Sequence, residues 1–350
     1  MAYLTLIDGT QYEGVSFGYE ADSIGEVVFN TGITGYQELL TDPSYVGQIV
    51  NMTYPLIGNY GVNPEDTESD SPKVKGLIVR DYCDAPSNWQ SKGTLKEYLV
   101  QNKIVAIHSI DTRALTRKIR DNGTMACIIS QNKPTDEQIA EMKNFAIKGA
   151  VAEVTCRAPY EIKGEGKTLA LIDYGVKKHV IDVLVKKGFN IKVFPSNTSA
   201  GDILASNPDG IFLSNGPGDP KDNAGAIETV KMLIGKKPIY AICLGHQILA
   251  LAKGGDTEKL KYGHRGSNHP VRDVETGKVV ITSQAHGYTV SADSIKSVGK
   301  VTHVNINDGT VEGIEYNDGM SFSLQYHPES LTGPNTENRV FEKFVKVLTK

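Results

Sequence analysis

From Leu169 onward the chain alternates short, continuously apolar runs with segments of helical period. Leu169 to Asp173, Gly210 to Leu213 and Pro238 to Ile242 are the apolar runs, and Asn190 to Phe194 is a further strand candidate. Lys177 to Lys187, Ala224 to Ile234 and Leu244 to Ala252 carry the helical pattern between and after them. Four to six successive apolar residues, without polar alternation, predict a strand covered on both faces. Such strands alternating with helices predict a parallel sheet with helices on either side. That prediction also limits where chemistry can sit, because ligands of such sheets bind beyond the carboxyl ends of the strands.

The first part of the chain has a different texture. Tyr3 to Ile7 and Gln11 to Phe17 flank Asp8-Gly9, a hairpin signal. Gly25 to Phe29, Gln48 to Met52, Gly76 to Arg80, Ile104 to Ile110 and Thr124 to Ser130 are further strand candidates. Helices are expected over Thr94 to Val100, Thr112 to Arg120 and Thr135 to Ile147, with Asp111 and Thr135 as N-caps of the last two. Arg157 to Lys167 lacks apolar periodicity and contains Pro159, Gly164 and Gly166, so it reads as a linker. The expected organisation is α/β throughout: a β-rich N-terminal domain over 1–156, a linker over 157–167, and a mostly parallel, doubly wound domain over 168–350.

At 350 residues there is enough chain for two cores. A net charge of −4 gives no electrostatic reason to expect nucleic-acid binding. No apolar run approaches membrane-spanning length, and the first residues lack the basic-then-apolar pattern of a secretory leader. Cys83, Cys127, Cys156 and Cys243 are scattered, with no Cys-x-x-Cys pair. Reduced thiols and a cytoplasmic location are therefore expected.

One cysteine stands apart. Cys243 falls between the run Pro238–Ile242 and the helical pattern Leu244–Ala252. A side chain on so sharp a strand-to-helix turn is held up and out, and the helix N-terminus behind it favours thiolate over thiol. A thiol nucleophile needs a base, and the base needs an orienting group. His246 lies one helical turn beyond the cysteine, a poor position for pairing with it, so packing is expected there. His327 closes the apolar stretch Ser321–Tyr326, is followed by Pro328, and has Glu329 two residues on. If the two strand ends are neighbours, Cys243, His327 and Glu329 form a Cys-His-Glu triad. The loop Asn215-Gly216-Pro217-Gly218-Asp219-Pro220 could turn N–H groups toward an oxyanion, with the Leu244 amide as a second donor.

Asn215 to Pro220, Cys243-Leu244-Gly245-His246-Gln247 and His327-Pro328-Glu329, in that order, resemble class I, triad-type glutamine amidotransferases. Asn30 to Glu38, Thr41 to Tyr45, Thr53 to Gly61 and Ile110 to Thr116 resemble the N-terminal domain of carbamoyl phosphate synthetase small subunits, as does Gly263 to Val271. The resemblance implies that Cys243 forms a γ-glutamyl thioester, that His327 moves the protons and that Glu329 orients it. It implies glutamine contacts from Ser44, Gly216, Gly218, Leu244, Gln247, Ala285, Gly287 and Tyr288, with the site between the two domains. It implies a heterodimer with a large subunit that carries ATP and Mg, no cofactor on this chain, and a place in arginine or pyrimidine synthesis. Three departures stand out: Ala241 where the elbow usually has Gly, Tyr288 where the family often has Phe, and Ala285 where it often has Asn, leaving only backbone groups there.

Two other readings belong to different classes: the amidotransferase of another synthase, of anthranilate or GMP type, and a catalytically silent regulatory subunit. The N-terminal half disfavours the first and the intact triad disfavours the second. Gly166-Lys167-Thr168 mimics the end of a phosphate-binding loop but lacks the glycine five positions earlier. His264, His269 and His286 follow no metal-ligand spacing, so no metal is expected and loop packing is the simpler reading.

Overall fold

The computed structural model describes residues 1–330 and 339–348, so residues 331–338, Thr349 and Lys350 of the expected second domain lie outside the described residues. The chain divides into two compact units, Met1–Ile147 and Lys148–Lys350. In the first, seven strands close into a barrel in the order Ala2–Leu6, Gln11–Ser16, Val105–His108, Gly76–Ile78, Gln48–Met52, Ser23–Asn30, Met125–Ser130. Closure comes from Ala2–Leu6, which pairs antiparallel with both Gln11–Ser16 and Met125–Ser130. Leu4, Leu6, Val27, Ile49, Ile107 and Ile129 pack with Leu115 and Ile119 of the helix Thr112–Asn122. That helix begins where expected: the Asp111 carboxylate accepts from the Ala114 N–H at 2.9 Å.

The second unit is built on one ten-stranded sheet. Its centre runs Asn190–Pro195, Thr168–Asp173, Gly210–Leu213, Ile239–Ile242, Ser321–Leu324, all parallel neighbours. Alternate residues serve opposite faces. Ala170, Ile172, Ile211, Leu213, Ile239 and Ala241 pack against Leu244, Ile248 and Leu249 of the helix Leu244–Ala252. Leu169, Leu171, Ile191, Phe212, Tyr240 and Ile242 pack against Val180 and Leu184 of Lys178–Lys186 and against Phe341 and Phe344 of Arg339–Leu348. Cover on both sides is the physical reason Thr168–Asp173, Gly210–Leu213 and Ile239–Ile242 read as largely apolar runs.

Beyond Ser321–Leu324 the sheet turns antiparallel through Val311–Tyr316, Gly299–Asn305, Thr257–Asp273 and Val279–Val290. The other edge also differs from expectation. Within the segment read as a linker, Tyr160–Ile162 forms a strand antiparallel to Asn190–Pro195, and the division between units falls earlier, after Ile147. As a largely exposed edge strand it shows no apolar run. His264, His269 and His286, expected in loops, lie on the paired strands Thr257–Asp273 and Val279–Val290.

Candidate active site

Register brings the two chemically suspect strand ends together. Ile239–Ile242 pairs in parallel with Ser321–Leu324, and Ile242 stands opposite Leu324. The Cys243 N–H then donates to the Leu324 carbonyl at 2.9 Å. Cys243 itself has φ 50° and ψ −110°, a conformation that costs a non-glycine residue about 1–3 kcal/mol. The helix starts on the next residue, so the chain reverses over a single strained position and lifts the thiol off the sheet.

The turn tolerates this only because the helix sits hard on the neighbouring strand. Gly245 N–H donates to Ser214 O at 3.0 Å, and a Cβ on Gly245 would lie 2.4 Å from the Leu213 carbonyl oxygen. Gly245→Ala should therefore force the helix away and destabilise the unit by about 1–3 kcal/mol, read as a lower urea midpoint. An unchanged midpoint would show that the packing is looser than this.

His327 is fixed from two sides. Its N–H donates to Ser283 O at 3.0 Å. A single 3₁₀ turn, Pro328–Ser330, then folds Glu329 back so that its Oε1 lies 2.7 Å from His327 Nδ1. The carboxylate can only accept there, so Nδ1 carries the proton and Nε2 is left for the thiol. Nε2 is buried without a hydrogen bond of normal length, and the Cys243 thiol is close enough to raise the ring's proton affinity.

Lys177 was not anticipated. Its Nζ lies 3.0 Å from Glu329 Oε1, and the two side chains are only 6% and 3% exposed. The Lys177 N–H donates to Asn215 Oδ1, and Asn215 Nδ2 donates to Gly175 O, so the loop after Thr168–Asp173 is tied to the Gly-Pro-Gly loop. Burial works against an imidazolium at His327, but the Glu329 carboxylate and the Cys243 contact outweigh it. The ring is pushed up to about 10, with Lys177 pulling the other way. Burial also disfavours the Glu329 carboxylate, yet Lys177 and His327 hold its pKa far below the carboxylate range. Because the folded-state value of His327 is raised, its contribution to stability is complete below about pH 6.5 and lost as pH rises through about 10. The stability gap between the native chain and His327→Asn should therefore narrow over that window in urea titrations at stepped pH; a constant gap would contradict the ion pair.

Of the residues expected to contact glutamine in this unit, Ala285 carries the carbonyl that faces the thiol. Ala285 O lies 4.0 Å from Cys243 Sγ, so the residue without a side-chain amide presents its carbonyl. Gln247, one turn into the helix, donates through Nε2 to Tyr288 O at 2.8 Å and to Gln325 Oε1 at 2.9 Å, locking its amide. Gly287 lies between those two carbonyls on the strand Val279–Val290. Gly216 leaves the strand Gly210–Leu213 where a Cβ would lie 2.3 Å from Tyr174 O, and Gly218 has φ 88°. Leu244, first in its helix, is one of the residues whose N–H has no carbonyl a turn back. Ser44 belongs to the N-terminal unit, in the 3₁₀ turn Pro43–Tyr45, where the Asp42 carboxylate accepts from its N–H. His246 is fully buried with Nδ1 on Ser323 Oγ at 2.8 Å, and burial lowers its pKa to about 3, as fits a packing residue.

A buried cysteine on a strained strand-to-helix turn, with an imidazole oriented by a buried carboxylate, has the geometry of a cysteine–histidine–carboxylate site of the elbow type. Residues 170–347 match the family model for class-I glutamine amidotransferases, and residues 4–129 that for the CPSase domain of the carbamoyl-phosphate synthase small chain. The chain is 51% identical over 346 residues to a carbamoyl phosphate synthase small chain from Clostridium perfringens, covering 99% of both. It is 48% identical over 347 residues to the pyrimidine-specific small chain of Bacillus subtilis, covering 99% of this chain and 95% of that one. Among solved structures, a glutamine amidotransferase from Thermotoga maritima is 17% identical, with a TM-score of 0.40, over 52% of this chain and 82% of that one. This chain belongs to the carbamoyl phosphate synthase small-chain family. No helix among the described residues is long and apolar enough to cross a membrane.

Proposed function

We propose that this chain hydrolyses glutamine and delivers the ammonia to a large, ATP- and Mg-using partner that makes carbamoyl phosphate from bicarbonate. The observation that carries the chemistry is the chain of contacts from Lys177 through Glu329 to His327 and on to Cys243. The Cys243 proton passes to His327, and the thiolate attacks the side-chain amide carbon of glutamine. The oxyanion that forms is stabilised by the N–H groups of Leu244 and Gly216. As the C–N bond breaks, His327 gives its proton to the leaving nitrogen, and ammonia departs from a γ-glutamyl thioester. Water then attacks the thioester, His327 takes its proton, and glutamate leaves as the Cys243–carbon bond breaks.

The fixed Gln247 amide and the backbone at Gly218, Ala285, Gly287 and Tyr288 line the amino acid. Ser44 is assigned to its α-amino-acid end on the family motif alone. The match over residues 4–129 supports a carbamoyl phosphate role over an anthranilate or GMP one, whose amidotransferase would not need that unit. No cofactor is assigned to this chain, and the working location is the cytoplasm.

Adding the large chain should stimulate glutamate release, and acid quenching at steady state should trap one glutamyl adduct per chain on Cys243. Glutamine turnover with no adduct, and with no response to the large chain, would refute the reading.

A further inference from the structure

Three strands of the antiparallel half bring His264, His286 and Glu312 together in the protein interior. All three are buried, and one potential ligand atom from each lies within 4.8 Å of the others. His264 and His286 stand directly opposite in the pairing of Thr257–Asp273 with Val279–Val290, and Glu312 comes from Val311–Tyr316.

The outward nitrogens of both rings are already committed as donors. His264 Nε2 lies 2.8 Å from Asp308 Oδ2, and the N–H and hydroxyl of Thr310 hold that carboxylate through its other oxygen. His286 Nδ1 lies 2.7 Å from the Tyr288 carbonyl, which can only accept. In the neutral rings the inward atoms, His264 Nδ1 and His286 Nε2, are therefore lone pairs. Both point at the same oxygen, Gln284 Oε1, at 3.1 and 2.8 Å. That amide is turned this way because its Nε2 donates to Glu312 Oε1 at 3.0 Å and to Thr282 Oγ1 at 3.1 Å. Glu312 has no exposure at all, and its second oxygen, Oε2, is buried without a hydrogen-bond partner. With both rings neutral the centre is lined by two imidazole lone pairs, an amide oxygen and a carboxylate: acceptors only, in a region where an unmatched acceptor is costly.

We propose that His264, His286 and Glu312, with Gln284 Oε1, form a binding site for one divalent cation of borderline softness such as Zn²⁺. Two imidazoles and a carboxylate suit that class of ion, whereas Mg²⁺ and Ca²⁺ call for oxygen ligands. Ligands about 2.0–2.2 Å from a tetrahedral zinc stand roughly 3.4 Å apart. His264 Nδ1 and Glu312 Oε1 are 3.6 Å apart already. An imidazole whose far nitrogen donates to a carboxylate or a carbonyl is the usual outer support of a zinc-bound histidine, and both rings have it. The strand that supplies His286 also carries Ala285 and Tyr288, so a bound ion would fix the carbonyls that face Cys243 and Gln247. The occupant that competes with the metal is a proton on one of the two rings.

The test is a Zn²⁺ titration of the chelator-stripped full chain by calorimetry, with metal content measured after gel filtration. Replacement by Co²⁺ then reports geometry through its visible absorption. We expect one tightly held equivalent, with tetrahedral-type Co²⁺ absorption. Glu312→Gln should abolish it, and Asp308→Asn, which changes only the half-exposed support, should weaken binding roughly 10–100-fold. Cys243→Ser should bind as the native chain does. Sub-stoichiometric binding, equal binding by Glu312→Gln judged folded by circular dichroism, or loss of the ion in Cys243→Ser would each overturn the proposal. The first would leave the proton as occupant, and the last would place the ion on the catalytic thiol.

Discussion

Replacing Cys243 by serine is expected to lower glutamine-dependent carbamoyl phosphate synthesis by at least ~10⁴-fold while ammonia-dependent synthesis by the same complex is kept. The size follows from what the residue does. The site's other devices are set by the backbone and by His327, Glu329 and Lys177, and all survive the change. What is lost is the one atom that becomes a good nucleophile once its proton has passed to His327, since a hydroxyl resists ionisation far more than a thiol. The cost falls on the chemical step, so glutamine binding should change little. The strained φ of 50° at this position is a property of the turn, so serine should occupy the same conformation and the fold should be unaffected. Two assays on one reconstituted preparation decide the matter. Equal loss with glutamine and with ammonia would mean that the substitution had damaged the complex. Retained glutamine use would mean that Cys243 is not the nucleophile.

The sequence revealed those parts of the fold whose local pattern and burial agree. Thr168–Asp173, Gly210–Leu213 and Ile239–Ile242 are covered by helices on both faces, so each is an unbroken apolar run that needs no partner to be recognised. The triad was legible for a related reason: Cys243 lies just past the end of such a run and His327 a few residues past the strand Ser321–Leu324, where side chains leave the sheet. The antiparallel half hid itself. Thr257–Asp273 mixes buried and exposed positions, contains Pro270, and shifts register against Val279–Val290 between Lys259 and His264 and again between Gly266 and His269. A period-two pattern cannot survive two such shifts. His264, His286 and Glu312 come together through that register, so no spacing along the chain announces them. Lys177 was invisible for the opposite reason. A lysine at the start of an amphipathic helix reads as solvated, and only the 3₁₀ turn at Pro328–Ser330, far along the chain, shows that it is buried against a carboxylate.

Lys177→Met should destabilise the C-terminal unit by about 3–5 kcal/mol, and Lys177→Met combined with Glu329→Gln should recover most of that loss. Lys177 and Glu329 are almost wholly buried, so neither charge has water to fall back on. A buried pair is a weak source of net stability, because taking both ions from water offsets their attraction; removing one partner is different, since it strands the other. In Lys177→Met, Glu329 keeps His327 but loses the cation that does most to hold its carboxyl ionised. Glu329→Gln strands the ammonium instead. The paired change leaves a neutral amide beside a thioether of similar length, so the double variant should be more stable than either single one. Catalysis should separate from stability. Without Lys177 only burial opposes the pull of Glu329 on the His327 proton, so the ring holds it more tightly and gives it up less readily to the leaving nitrogen. The double variant lacks the carboxylate that orients His327 and stabilises its protonated ring, so it should fold nearly as well as the native chain yet remain slow, with kcat reduced more than KM changes. Urea unfolding of the four proteins supplies the cycle. If the two single losses simply add, the ion pair is not what joins the helix at Lys178–Lys186 to the turn that carries Glu329.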